Sequence, residues 1–135
     1  MKPVRIRSDG GQATAFTVVM TVAVLALAGL VLDAGLAAST KVEAVSAAQS
    51  AARAGARELD VAALRTTGVV RIDPAKARAA AQNWLGRARL TGTVTVTDNQ
   101  VTVSVTTARQ TQLLHMLGVT SIPITATATA EAIVP

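Results

Sequence analysis

Few side chains in this 135-residue sequence are equipped to do chemistry. Cysteine is absent, which removes a disulfide framework, a thiolate nucleophile, an iron–sulfur cluster and any thiolate zinc site. The single histidine, His115, lies among leucines with no second ligand or carboxylate near it in sequence. It is read as a solvent-facing or capping residue and is assigned no role. With no nucleophile–base pair and no metal-ligand cluster, the chain is expected not to be an enzyme and to need no cofactor or metal. Arg53 and Arg57 lie one turn apart on a helix, the spacing of a solvated face. Trp84, one of two aromatic residues with Phe16, is read as a core anchor. Asp33 is the first charge after a long apolar run. A carboxylate there either marks the outer membrane boundary or makes an ion pair or hydrogen bond with a neighbouring subunit's helix.

The elements that hold these residues begin with that apolar run. Residues 13–32, ATAFTVVMTVAVLALAGLVL, contain no charge, and the uncharged stretch extends over residues 10–32. As a helix, 20 residues span about 30 Å, the thickness of a bilayer core. Ten of them are Leu, Val or Phe, worth together roughly −3 to −6 kcal/mol on the insertion scale. That outweighs three threonines and a glycine, and a chain of this size with two aromatics has no core large enough to surround such a helix. Lys2, Arg5 and Arg7 precede the segment against only Asp9, while Asp33 follows it and no basic residue appears before Lys41. The positive-inside rule therefore puts the N-terminus in the cytoplasm and the rest outside. A cleaved secretory signal ending near Ala26-Leu27-Ala28 is the rival reading, but the run exceeds a usual h-region and helical sequence continues past it.

From residue 33 to residue 60 there is no proline and alanine dominates, so the helix is expected to run on as far as Asp60. Positions three and four apart form a seam of small or β-branched residues. It runs through Gly35, Ala38, Val42, Val45, Gln49, Ala52, Ala56 and Leu59, and backward through Val31, Ala28, Val24, Thr21, Thr17 and Thr14. Thr21, Ala28, Gly35 and Ala38 are its candidate helix-packing residues. The expected organisation is a basic cytoplasmic tail (1–12), a transmembrane helix (13–32), a helix extension (33–60) and an exported α+β domain (61–135).

Within that domain, Asp73-Pro74 supplies an N-cap and a proline at the first helical position. The helix that follows, through about Arg89, is expected to bury Ala77, Ala81, Trp84, Leu85 and Ala88. The period then changes to two. With Asp98-Asn99 as turn residues, Val96 faces Val101 and Val94 faces Val103 on one side of a hairpin. Thr111 is expected to cap a short helix ending at Gly118, with Leu113, Leu114 and Leu117 inward. Ile122, Ile124, Ala126, Ala128 and Ala130 alternate with polar residues as a third, half-buried strand. The fold class is thus α+β, a long helix followed by an α-β-β-α-β module. The net charge of +5 drops to +3 over the ten basic and seven acidic residues from Asp33 onward, and no nucleic-acid partner is expected.

The order of basic tail, glycine, membrane helix, LVLDAG at 30–35 and SAAQSAARAGA at 46–56 resembles the TadE/TadG-like proteins of tight-adherence (Flp) pilus assembly. The use of ten Arg against three Lys is similar to the form found in high-GC Gram-positive bacteria. The resemblance implies a minor pilin-like, pseudopilin-type membrane protein of a pilus or secretion system. Its implied partners are the membrane and other pilin-like subunits and assembly proteins, with self-association included. A membrane-tethered binding or sensing module, with function on the exported sheet, is the alternative. Pseudopilin-type members carry a glycine cut by a prepilin peptidase, then a glutamate followed by phenylalanine. Aligned on Phe16, Gly10 takes the place of the cleaved glycine and Ala15 stands where the glutamate would be; if a peptidase acts, either Gly10 or Gly11 gives the small residue before the scissile bond. Without peptidase action, Gly10-Gly11 is a flexible joint ahead of the helix.

Overall fold

No proline interrupts residues 10–56, and the chain forms one helix there of 47 residues, α1 (Gly10–Ala56), about 70 Å long. The computed structural model describes residues 10–132. Lys2, Arg5 and Arg7, which carry the orientation argument, and most of the 1–12 tail lie outside the described residues. Threonine is an awkward residue in an apolar helix, but here each hydroxyl bonds one turn back. Thr14 donates to the Gly10 carbonyl at 2.9 Å, Thr17 to Ala13 at 2.9 Å and Thr21 to Thr17 at 2.8 Å. The polar groups in the apolar half are therefore satisfied within the helix.

The helix stops at Ala56, four residues before the expected end at Asp60. The cause is competition for the residues beyond it. Leu59 pairs with Ile72 as an isolated β-bridge, and the Glu58 carbonyl accepts the Asp73 amide at 2.8 Å. The Asp60 carboxylate accepts the Ala63 amide at 3.0 Å and caps a short helix, α2 (Val61–Thr67), that the sequence reading left unassigned.

Beyond it lies helix α3 (Pro74–Arg87), opened by Asp73, whose side chain accepts the Ala75 and Lys76 amides as expected of an N-cap. Strands β1 (Thr91–Thr97), β2 (Gln100–Gln110) and β3 (Ser121–Glu131) form one antiparallel sheet in the order β1-β2-β3. Val94 faces Val103 and Val96 faces Val101, the register read from the sequence. The turn residue Asp98 has φ 52°, a left-handed conformation that Asp tolerates better than most.

Helices α1 and α3 cover one face of the sheet, against Val101, Val103 and Val105, which are fully buried. The helix side of this core is mostly alanine: Ala48, Ala51, Ala52, Ala77 and Ala81 are all fully buried. Small side chains let the backbones approach, most closely at Gly55, where a Cβ would lie 2.9 Å from the Ala77 carbonyl oxygen and 3.0 Å from Val101 Cγ1. The far face of the sheet is hydroxyl-lined; Thr102 and Thr129 share a hydrogen bond of 2.9 Å, and Thr127 donates to Ser104 at 3.1 Å.

Four expectations about the domain are corrected. Trp84 is only half-buried and Ala88 is exposed, so Ala77, Ala81 and Leu85 anchor α3 instead. The short helix before Gly118 is a 3₁₀ turn, Leu114–Leu117, with no buried residue. Thr111 does not cap it; its hydroxyl donates to the Val119 carbonyl and closes the base of the loop. Leu113 and Leu117 stay exposed and Leu114 is half-buried, because α1 and α3 already fill the sheet's apolar face.

Candidate helix interface and its anchor

Every residue from 10 to 28 of α1 is exposed, and α1 is long and apolar enough in its N-terminal part to cross a membrane. Burial begins at Gly29 and then follows one stripe: Gly29, Asp33, Ala44, Ala47, Ala48, Ala51, Ala52, Gly55 and Ala56. This stripe is a different frame from the predicted seam over most of the helix. Thr21, Ala28, Gly35 and Ala38 are all exposed, as are Val24, Val31 and Val42; the two frames merge only at Ala52 and Ala56. The chain's own domain therefore occupies one side of the helix and leaves the small-residue seam open. A Cβ added at Gly35 would meet nothing within 4 Å. Gly10 and Gly11 lie exposed in the first turn of α1.

Asp33 is buried, 3% exposed, and its partners come from its own chain. Oδ1 accepts the Gln112 amide at 2.9 Å; Oδ2 accepts the Leu113 amide at 3.1 Å and the Leu114 amide at 2.9 Å. One carboxylate thus serves the first amides of the 3₁₀ turn, where no local side chain caps it. The Gln112 amide foremost, then that of Leu114, hold the Asp33 carboxyl below its ordinary value against the opposing effect of burial; the Leu113 amide and nearby His115 add to this. Asp33 is at once the first charge beyond the apolar stretch and the anchor of a loop from the other end of the domain.

That anchorage brings the loop down beside the apolar half of α1. Leu113 packs over Gly29, where a Cβ would lie 2.6 Å from Leu113 Cδ1. An almost wholly apolar groove results, with Val22, Leu25 and Leu30 on the helix side and Leu113, Met116 and Leu117 on the loop side. Sequence reasoning placed Asp33 at a boundary but missed this pairing, since nothing local links residue 33 to residue 112. Nor did the sequence signal it, since Thr111 stood ahead of the turn as a local cap.

Other candidates are weaker. His115 is exposed, and among the described residues no group of three or more His, Asp or Glu could hold a metal ion. A cleft of mixed polarity between the α2–α3 connection and the hairpin turn is lined by Asp60, Arg71, Asp98 and Asn99 together with Val69, Val70, Ile72 and Pro74. Asn99 is structural there: its Oδ1 accepts the Ile72 amide at 3.0 Å and its Nδ2 donates to the Val70 carbonyl at 3.2 Å. Arg53 and Arg57 are exposed.

No curated protein and no solved structure matches the chain. Residues 11–58, which take in nearly all of α1 and end just beyond it, match the model of the Tad family, described as Flp pilus-assembly TadE/G-like.

Proposed function

We propose that this chain is a minor pilin-like, pseudopilin-type membrane protein that takes part in assembling a pilus or secretion system, and that it acts by helix packing without catalysis, metal or cofactor. Its partners are pilin-like subunits and assembly proteins of the envelope, further copies of itself included, and not nucleic acid. In this reading residues 13–32 cross the membrane once, with the N-terminus in the cytoplasm and the sheet domain outside. The match over α1 supports the pilus-assembly context, and the excess of Arg over Lys supports a high-GC Gram-positive source.

The observation that carries the packing role is the open seam. Thr21, Ala28, Gly35 and Ala38 stay exposed although the domain packs along the same helix. Between helices in lipid, association comes from close van der Waals approach of small residues, so bulk on this seam has a definite sign. Ala28→Leu or Gly35→Leu keeps the helix apolar but separates backbones; crosslinking between membrane helices and piliation or secretion should fall at wild-type protein level. Thr125→Lys with Thr127→Lys changes the sheet's outer face and should leave both intact. The opposite pattern would favour a tethered binding module.

A further inference from the structure

We propose that the loop of residues 113–119 is a second membrane contact, inserting Leu113, Met116 and Leu117 among the lipid acyl chains of the leaflet on the domain's side. The proposal rests on the reading of residues 13–32 as a membrane span.

Position is the first argument. Gly29, under the Leu113 side chain, lies one turn inward of Asp33, about 6 Å along the axis, and Val22 lies about 16 Å inward. If the charge-free stretch fills the hydrocarbon layer, the groove between loop and helix lies within its outer part. Its surface is continuous with the lipid-facing side of α1: Val22 is 61% exposed, Met116 77% and Leu117 79%. Four large apolar side chains, counting Val119, are exposed on one short loop, the sheet's own apolar face being covered by α1 and α3.

Backbone satisfaction is the second argument. A non-helical segment enters an apolar phase only if its amides are bonded inside the protein. The Gln112, Leu113 and Leu114 amides donate to Asp33. Those of Thr111, Met116, Gly118 and Val119 donate to the carbonyls of Thr120, Leu113, His115 and Leu114. Asp33 therefore does for this loop what water does for an ordinary one. A loop with most of its amides bonded within the protein and with exposed apolar side chains, held beside a membrane span, fits the boundary of acyl chains and headgroups.

The chain has no cysteine, so single-cysteine labelling tests this directly. An environment-sensitive fluorophore is placed on Met116→Cys or Leu117→Cys in the full chain, reconstituted in phosphatidylcholine–phosphatidylglycerol vesicles with nitroxide-labelled acyl chains. Val18→Cys in the span and Thr95→Cys on the sheet's outer face serve as references. Quenching at 116 and 117 comparable with that at 18, with none at 95, is the expected result. Quenching at 18 but not at 116 or 117 overturns loop insertion and leaves the span standing, and shielding of these two sites from aqueous iodide would then mark a protein partner on the loop. Absence of quenching at 18 removes the span itself and the loop proposal with it.

Discussion

The Leu114 amide donates to Oδ2 of Asp33 across 2.9 Å, joining residues 81 apart in sequence. The bond pins the loop before β3 to the point where α1 leaves its apolar stretch, so the domain and the long helix share an anchor as well as a core. Asp33→Ala removes the acceptor of three amides at once. Hydrogen exchange at Gln112, Leu113 and Leu114 should rise toward that of an unstructured loop, while the Val103 amide at the sheet centre keeps its protection. Asp33→Asn retains one carbonyl oxygen and should recover part of the effect.

Two glycines of the same helix should respond with opposite sign. Gly35→Ala adds a methyl in open space and gains up to ~1 kcal/mol of helix propensity. Gly55→Ala gains the same propensity, yet its Cβ would lie 2.9 Å from the Ala77 carbonyl oxygen. With overpacking at about 1–3 kcal/mol, the net should be a loss of about 1 kcal/mol. Urea unfolding of the two variants, in detergent, reads the difference.

Asn99 ties the hairpin turn to the α2–α3 connection through Ile72 and Val70. Ile72 is buried, so Asn99→Ala leaves its amide without that partner and should destabilise the domain by about 1–3 kcal/mol. Asn99→Asp keeps the acceptor and loses the donor, and should fall between wild type and alanine in a thermal melt.

Acid should weaken the domain through two capping carboxylates. Asp33 is held below its ordinary value of 3.8 chiefly by the Gln112 amide, and Asp73 chiefly by the Lys76 amide and then the Lys76 ammonium 3.0 Å away. Because the folded-state values are depressed, the unfolded chain binds these protons first. Their stabilisation is complete well above 3.8 and is lost as pH falls through that value toward the lower folded-state ones. Denaturant midpoints should be level near neutrality and decline below about pH 4.5. Asp73→Asn should flatten that decline.

Much of the fold was legible locally. The apolar run, the alanine-rich helix, the Asp73-Pro74 start and the valine alternation around Asp98-Asn99 each depend on neighbours within a few residues, and the hairpin register follows from them. The Asp60 cap of α2 is equally local, but the high helix propensity through Asp60 hides it, since propensity does not register the bridge between Leu59 and Ile72. What tertiary structure alone decided is which side of α1 meets the sheet, and where Asp33 finds its partners. An alanine-rich helix offers nearly equivalent faces, so the choice between the seam of Gly35 and Ala38 and the stripe of Ala44, Ala48 and Ala51 falls to the shape of the sheet. A carboxylate likewise carries no record of which distant amides will need it. That became fixed only when β2 and β3, antiparallel and packed on α1, carried their connecting loop to the point where the apolar stretch of α1 ends.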